Sequence, residues 1–535
     1  MPLLNFWDRY QRWAVIVFFL SFLFVGLRIF PDYGVHWDEW NNEQFGEQWC
    51  QYVSNVISQG SLHTIPEVQP VNHDWVHGPV FEVTLAMIQK ILNVQDLPRM
   101  VFLRHACVFL LFFLGLMFFY GLAKRFFGSW KLGLLACLFL VFMPRIFADA
   151  FYNSVDLPFL SLFTISIYTM IRFFERRTLP FALVHASVCA FLIDVRFAGI
   201  LMLFLTGLFA IPSLVRKEMR PSIMLVFFVV AGAAVVLFWP LLWVHPVERF
   251  LTVLTEMKRF HWSKTDLYFG KLLTPDQMPW HYALVWIWIT TPVLTGLLFL
   301  IGSGFAASAC FRGSALPAEK RNFAIVLAWF FLPLALASGH LFNGWRHLYF
   351  VTPALALLAV VGWRSVWRAI GSMFHGVSRR ILLGIVLLVT ALHFGCVFGF
   401  MVKYHPLQNL YFNEIAGRDM AWVKRNFELD YWGLSYRPAL EYIAKHDPRK
   451  NIRVFVLTTS GTQNLAMLPP QDAARLNLIS PLDDSVEYFV TSYKWHPEEY
   501  LLENEAYSFK IGNAKVISVY KKSEDSGGKR ASRES

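Results

Sequence analysis

The sequence has little charge and few long polar stretches, which excludes an ordinary soluble globular protein. Only 16% of its 535 residues are charged, whereas 56% are hydrophobic and 17% are aromatic. The apolar residues fall in runs long enough to cross a bilayer. We therefore expect a membrane protein with many spans, in which helices laid side by side form one unit.

Cysteine is scarce as well, and its placement excludes a disulfide framework or a zinc site. Of the six cysteines only Cys50 falls in a candidate outside loop, and the others lie in apolar segments: Cys107, Cys137, Cys189, Cys310 and Cys396. The first apolar run, Ala14 to Phe30, lacks a small-residue cleavage pattern. We expect a retained first span rather than a removed signal peptide.

The apolar runs and the basic patches between them predict the topology. Taking runs of about 17 to 25 residues as spans, we count eleven, centred near residues 22, 114, 139, 164, 187, 205, 232, 295, 331, 356 and 391. The chain has a formal net charge of +11, and its Lys and Arg residues are concentrated in every second connection between the spans. The positive-inside rule then places the N-terminus in the cytoplasm and the C-terminus outside.

The long segments all fall on the predicted outer face. The first long segment, residues 31–103, has no Lys or Arg before Lys90, whereas the segment at residues 244–283 is basic. An acidic and a basic loop on one face predict a site where a base meets an anion clamp.

Two domains and a C-terminal tail follow from the change of composition along the chain. Residues 1–402 form the transmembrane catalytic domain, and residues 403–522 form a small extracytoplasmic α/β domain. That domain has a predicted helix at Arg437 to Ala444 and strands at Ile452 to Thr458, Tyr488 to Thr491 and Lys515 to Tyr520. Residues 523–535 form a polar tail that we expect to be disordered.

The strongest catalytic candidate follows the first span, in the segment His36-Trp37-Asp38-Glu39-Trp40. Flanking tryptophans indicate a partly buried carboxylate, which favours a general-base role for Asp38 over a solvated loop position. In an extended segment Glu39 points elsewhere, so it orients or binds the substrate instead.

Other candidates have plain structural alternatives. His73 and His77 have a helical metal-binding spacing, but Gly78-Pro79 favours a turn, so we expect a structural or substrate-contacting role for His77. Asp149 and Asp156 lie near membrane depth, where burying a carboxylate costs free energy and so indicates a functional role. The alternative is that both carboxylates are hydrated at helix ends. Asp194 and Arg196 are interpreted as an internal ion pair in a tight hairpin.

Cations in the outer loops are candidate phosphate ligands. Arg346, in the turn Asn343 to Tyr349, either snorkels to lipid headgroups or clamps a phosphate leaving group. Arg259, His261 and Lys264 of the basic loop compete for the same role.

Several of these motifs resemble the GT-C superfamily of polyprenyl-phosphate-dependent glycosyltransferases, in the branch of protein O-mannosyltransferases and aminoarabinose transferases. Asp38-Glu39 resembles the acidic first-loop motif of that family, and His77-Gly78-Pro79 its His-Pro-Pro element with one proline replaced by glycine. The resemblance covers residues 10–415 and includes further segments: Phe147 to Pro158, Tyr268 to Pro292, Trp345 to Pro353 and His405 to Asn413.

The resemblance implies a polytopic α-helical GT-C fold and an inverting transfer from a polyprenyl-phosphate sugar to an acceptor hydroxyl outside the membrane. It implies that Asp38 is the base and that Arg346 stabilises the departing phosphate. The substrate-binding candidates are Glu39, His77, Asp149, Asp156, Arg259, His261, Lys264, Arg346 and His347, with no metal ligand among them.

The implied partners are a lipid-linked sugar donor, a glycan, lipid or protein acceptor, and the bilayer of a bacterial inner membrane, without nucleic acid. No cofactor is required by the sequence, and the use of a divalent metal stays open. Two other classes remain: a transporter or lipid flippase, and a sensor whose C-terminal domain binds a ligand. Against transport, the sequence shows no paired halves, and its charge is concentrated in outside loops.

Overall fold

The computed structural model describes residues 10–60, 77–259, 264–311, 317–337, 341–480, 483 and 485–522. The predicted tail at 523–535, together with His73 and His261, lies outside these residues. Helices dominate the described part, and one five-stranded sheet closes the chain.

The helices of the N-terminal three quarters follow one another with short connections. They are α1 Gln11–Ile29, α2 Glu39–Gln59, α3 Val80–Ile91, α4 Leu97–Phe127, α5 Trp130–Val141, α6 Pro144–Tyr152, α7 Asp156–Arg176, α8 Leu179–Val195, α9 Ile200–Val215, α10 Pro221–Phe238, α11 Pro246–Arg259, α12 Tyr282–Thr290, α13 Val293–Phe311, α14 Pro317–Leu336, α15 Thr352–Met373 and α16 Gly376–Lys403. Between α11 and α12 a short hairpin pairs β1 Asp266–Tyr268 with β2 Lys271–Leu273.

Each of the eleven predicted span centres lies inside a helix. Within the described residues, eight helices are long and apolar enough to cross a membrane, and a ninth span results if α5 and α6 are taken together across their 75° bend. Two of the predicted spans fall short of this test: α8 has 17 residues, and α14 begins with Glu319, Lys320 and Arg321. The count of eleven crossings therefore stays a prediction.

Close packing of glycines brings two central helices together. Gly302 of α13 faces the backbone of α15 at Leu358, and Gly362 of α15 faces the backbone of α13 at Leu298. A Cβ at either glycine would overlap a carbonyl oxygen of the opposite helix. Small residues are the usual means of close helix approach in a bilayer, where no hydrophobic effect draws helices together.

The C-terminal domain is built on a mixed sheet with strand order β4-β3-β5-β7-β6. Its elements are α17 Met420–Asn426, α18 Tyr436–His446, β3 Ile452–Val456, α19 Thr459–Leu465, α20 Pro470–Ala473, β4 Leu476–Leu478, β5 Tyr488–Thr491, β6 Glu505–Ile511 and β7 Ala514–Lys521. Strand β3 is parallel to β4 and β5, and β7 is antiparallel to β5 and β6. The predicted helix and the three predicted strands are all present, whereas β4 and β6 were not predicted.

This domain is fastened to the segment that leaves the first span. Asn464 of α19 accepts a hydrogen bond from the Val35 N–H at 2.9 Å and donates one to the Val35 carbonyl at 2.8 Å. Arg437 donates to the carbonyls of Pro31 and Tyr33 at 2.6 and 2.9 Å. The backbone on the N-terminal side of Asp38 is thus fixed by side chains more than 400 residues away in sequence.

Candidate active site

Asp38 and Arg346 meet at the ends of two separate helical elements. Asp38 immediately precedes α2, and Arg346 begins a 3-10 turn, Arg346–Val351, that leads into α15. An Arg346 Nη1 lies 3.4 Å from an Asp38 Oδ2, and the Asp38 side chain keeps 27% of its surface exposed against 8% for the arginine. The carboxylate is therefore open to a substrate, and the arginine is set behind it.

A second carboxylate, Asp156, holds Arg346 from the other side. Its Oδ2 lies 3.6 Å from the Nη1 of Arg346, and its Oδ1 lies 3.0 Å from the Nη1 of Arg196. The expected ion pair between Asp194 and Arg196 is wrong, because the hairpin turns Arg196 toward α7. Neither carboxylate oxygen of the buried Asp194 has a hydrogen-bond partner among the described residues.

Asp149 lies next to this set and is held by hydrogen bonds rather than by a cation. Tyr152 and Asn153 donate to it, the latter at 3.1 Å, and the Trp432 indole N–H donates at 3.4 Å. The Asn153 amide also donates to Asp156 at 2.9 Å. One asparagine thus ties together the two carboxylates predicted from the segment between spans three and four.

Trp432, from the C-terminal region, forms an aromatic wall of the site. The guanidinium of Arg346 lies 4.7 Å from the Trp432 ring and 5.4 Å from the Phe342 ring. Stacking of this kind restrains an arginine while leaving its N–H groups directed at a ligand. Sequence reasoning missed Trp432, because nothing near it in the chain identifies it as a neighbour of Asp38.

Several buried nitrogen atoms around Arg346 have no hydrogen-bond partner among the residues described. They are Arg346 Nε, Arg196 Nε, His77 Nδ1 and His347 Nδ1. Burial, followed by the charges of Arg196 and Arg346, lowers the pKa of His77 to about 3, so this ring is neutral at pH 7. Unsatisfied buried donors are costly unless a ligand accepts from them, so the set around Arg346 fits an anion rich in acceptor oxygens.

Glu39 points away from this set, into the protein. Its carboxylate lies 3.1 Å from the His105 ring of α4, and both side chains are buried. Burial alone would raise the pKa of Glu39, but the charge and hydrogen bond of His105 outweigh it and leave the pKa below its ordinary value. Among the described residues the Glu39 carboxylate forms no ion pair with Arg346, and its pairing with His105 anchors the first turn of α2.

The basic loop contributes one described cation to the site. Lys264 Nζ lies 4.3 Å from the centre of the Trp37 ring. Arg259 is the last residue of α11, and its side chain, like all of His261, lies outside the described part of the structure. The competing assignments of Arg259 and His261 as phosphate ligands stay predictions.

A cleft opens beside Asp38. Its lining combines the first loop, the basic loop and the C-terminal domain: Trp37, Asp38, Lys264, Thr265, Asp266, Asn343, Tyr431, Trp432, Lys494 and Trp495. The cleft thus joins a candidate base to aromatic walls and two lysines. Among the described residues no group of three or more His, Cys, Asp or Glu side chains is placed to hold a metal ion.

Long apolar helices and a small sheet domain, with a charged cleft where they meet, define an integral membrane protein with a site built at the helix ends. No protein-family model and no curated protein sequence matches the chain.

Solved structures do resemble it. One is an oligosaccharyltransferase of Archaeoglobus fulgidus in its apo form, with 11% identity and a TM-score of 0.49 over 90% of this chain and 70% of the other. Another is ArnT of Cupriavidus metallidurans bound to undecaprenyl phosphate, with 12% identity and a TM-score of 0.45 over 95% of this chain and 98% of the other.

Proposed function

We propose that this protein is an inverting glycosyltransferase, which moves a sugar from a polyprenyl-phosphate donor to an acceptor hydroxyl on the extracytoplasmic face. The observation that carries the proposal is the 3.4 Å approach of Asp38 to Arg346, with the carboxylate open to the cleft. A base and an anion clamp side by side at helix ends suit a reaction between a membrane-borne donor and a water-borne acceptor.

In the proposed reaction, Asp38 takes the proton of the acceptor hydroxyl, whose oxygen forms a bond to the anomeric carbon of the sugar. The bond from that carbon to the phosphate oxygen breaks, and its electron pair leaves with the polyprenyl phosphate. Attack from the face opposite to the leaving group inverts the anomeric configuration.

Arg346 and Arg196 are the proposed stabilisers of the departing phosphate. Both lie at helix ends, and the Nε atoms of both are buried without a partner among the described residues. Fixed cations directed at developing negative charge are the commonest large contribution to catalysis of this kind. His77, neutral at pH 7, and His347 supply further nitrogen atoms at the same place.

The decisive experiment replaces the base without changing its shape. We expect Asp38→Asn to reduce transfer of a labelled sugar from undecaprenyl phosphate to envelope-extract acceptors by about 10²-fold or more, because general-base catalysis contributes about 10²–10⁴-fold. Asp32→Asn, in the same loop but exposed and paired with His405 at 2.8 Å, is the matched control.

Two results would count against the proposal. Unimpaired transfer by the Asp38→Asn variant would remove Asp38 as the base. Absence of transfer by the unmodified protein, together with movement of the labelled lipid across the bilayer of proteoliposomes, would favour the transporter or flippase class.

A further inference from the structure

Two lysines in the cleft lining converge on the same two tryptophan rings. Lys264 Nζ lies 4.3 Å and Lys494 Nζ 5.5 Å from the centre of the Trp37 ring, and both also approach the Trp495 ring, at 6.0 and 5.4 Å. Burial and the charge of Lys494 lower the pKa of Lys264, as expected for two ammonium groups held near each other.

Lys494 is the more unusual of the two, because only 8% of it is exposed. It donates a hydrogen bond to the Tyr431 carbonyl at 3.4 Å, and no carboxylate forms an ion pair with it in the described part of the chain. Buried lysines are ordinarily paired with an anion.

The nearest carboxylates offset this charge only in part. Burial raises the pKa of Glu428 to about 7 and raises the pKa of Asp266 as well, although the charge of Lys494 acts against both shifts. At neutral pH a good share of Glu428 is therefore protonated. Glu428 thus offsets only part of the positive charge of Lys494.

The two lysines, unlike the two arginines, are among the residues that line the cleft. Arg346 and Arg196 stand at the ends of membrane helices, beside Asp156, whereas Lys264 and Lys494 come from the basic loop and the C-terminal domain. A single lipid phosphate departs from one side of the anomeric carbon only. The buried Lys494 in the cleft lining, with Lys264 beside it, therefore indicates a second anionic group.

The aromatic residues around these lysines indicate what kind of molecule would carry the anionic group. Trp37, Trp432 and Trp495 line the cleft. Aromatic faces with a few polar groups between them are typical of sites for ring-shaped ligands such as sugars.

We propose that Lys264 and Lys494 bind an anionic group of a saccharide acceptor, so that the C-terminal domain helps to select an acidic glycan. The inference rests on the proposed transferase reaction and names the acceptor class for it. The acceptor hydroxyl would then meet Asp38 while its neighbouring carboxylate or phosphate lies between the two ammonium groups.

The test measures binding to the full-length protein in nanodiscs by calorimetry. The probes are a glucuronate-containing disaccharide, a phosphorylated disaccharide, their neutral counterpart and undecaprenyl phosphate. The variants are Lys264→Gln and Lys494→Gln, with Lys510→Gln as control, because Lys510 is an exposed lysine of the same domain outside the cleft lining.

We expect the unmodified protein to bind an acidic disaccharide and to bind the neutral one at least tenfold more weakly. Each cleft variant should weaken acidic binding about tenfold, which is the loss of one charge-assisted hydrogen bond. Undecaprenyl phosphate binding should not change in either variant, and the control should match the unmodified protein.

Other results would overturn the inference. If the cleft variants weaken undecaprenyl phosphate binding instead, the lysines belong to the donor phosphate. Equal binding of acidic and neutral sugars, or no binding of either acidic probe, would show that the lysines do not select an anion. These failures leave the proposed reaction intact, because that reaction is judged separately by the transfer assay on Asp38→Asn.

Discussion

At the scale of single residues, Asp156 lies between two arginines that come from distant parts of the chain. Arg346 and Arg196 approach its two carboxylate oxygens at 3.6 and 3.0 Å, and Arg346 also reaches Asp38. Two positive and two negative side chains thus form one connected set. Replacing one of the four side chains therefore tests the contribution of that side chain to the set.

Arg196 gives the first prediction at this scale. Arg196→Gln should lower transfer about tenfold or more, because in the proposed reaction it removes a charged donor to the departing phosphate, an interaction of about 1.5–3 kcal/mol. Arg196→Lys should recover part of that loss, since lysine retains the charge but not the fork geometry. The measurement is the initial rate at saturating donor, with Arg99→Gln, an exposed arginine of α4, as control. Equal rates for Arg196→Gln and the unmodified chain would exclude a role in the reaction.

Glu428 gives a prediction about stability and pH. Its pKa is raised to about 7 from an ordinary 4.5, so folding favours its protonated form. The resulting stabilisation is complete below pH 4.5 and is lost as pH rises through 7. Glu428→Gln, which cannot ionise, should therefore gain stability relative to the unmodified protein between pH 5 and 8, by on the order of 2–3 kcal/mol.

The measurement is the melting temperature in detergent at several pH values. Glu441→Gln, on an exposed side chain paired with Arg437, is the control. A constant difference between Glu428→Gln and the unmodified chain over this range would contradict the assigned titration.

At the scale of helices, the crossing of α13 and α15 depends on two glycines. Gly302→Ala and Gly362→Ala each place a methyl group against a carbonyl oxygen of the opposite helix. Overpacking of this kind costs about 1–3 kcal/mol, and we expect a lower melting temperature and less folded protein in detergent. Gly304→Ala on the same helix α13 meets nothing within 4 Å and is the matched control. If all three variants melt alike, the close crossing does not exist in the membrane.

The same crossing has a consequence for the site. Helix α15 continues from the turn that holds Arg346, so a displaced α15 moves the arginine relative to Asp38. Reduced transfer should accompany reduced stability in the Gly362→Ala variant.

At the scale of the whole molecule, the predicted orientation places the first loop outside and the connection after α15 in the cytoplasm. Ser58→Cys and Ser372→Cys put exposed thiols at these two places. In intact cells a membrane-impermeant maleimide should label the Ser58→Cys variant and not the Ser372→Cys variant, and permeabilised cells should show both. Both variants also carry Cys396→Ser, because Cys396 is exposed, whereas Cys50, Cys137 and Cys189 are buried. The opposite labelling pattern would reverse the topology and remove the site from the outer face.

The contiguous sequence determined the positions of the helices, the strands of the C-terminal domain and the two most important charges. Hydropathy and residue periodicity are local properties, which is why every predicted span centre lies in a helix and why β3, β5 and β7 were found. The strands that were missed are β4, β6 and the β1-β2 hairpin, and all of them except β6 have only three residues. Asp38 and Arg346, chosen from their motifs, do come within 3.4 Å.

Only the tertiary structure decided which charges meet. Arg196 was assigned to Asp194, two residues away, yet packing of α8 against α7 turns it to Asp156. Glu39, next to Asp38 in sequence, faces His105 instead, because one residue of a helix rotates the side chain by about 100°. Trp432 and Lys494 reach the cleft because the C-terminal domain is folded back on the first loop. Contacts between residues hundreds of positions apart depend on how the folded helices and strands pack against each other, and a local sequence pattern does not determine that packing.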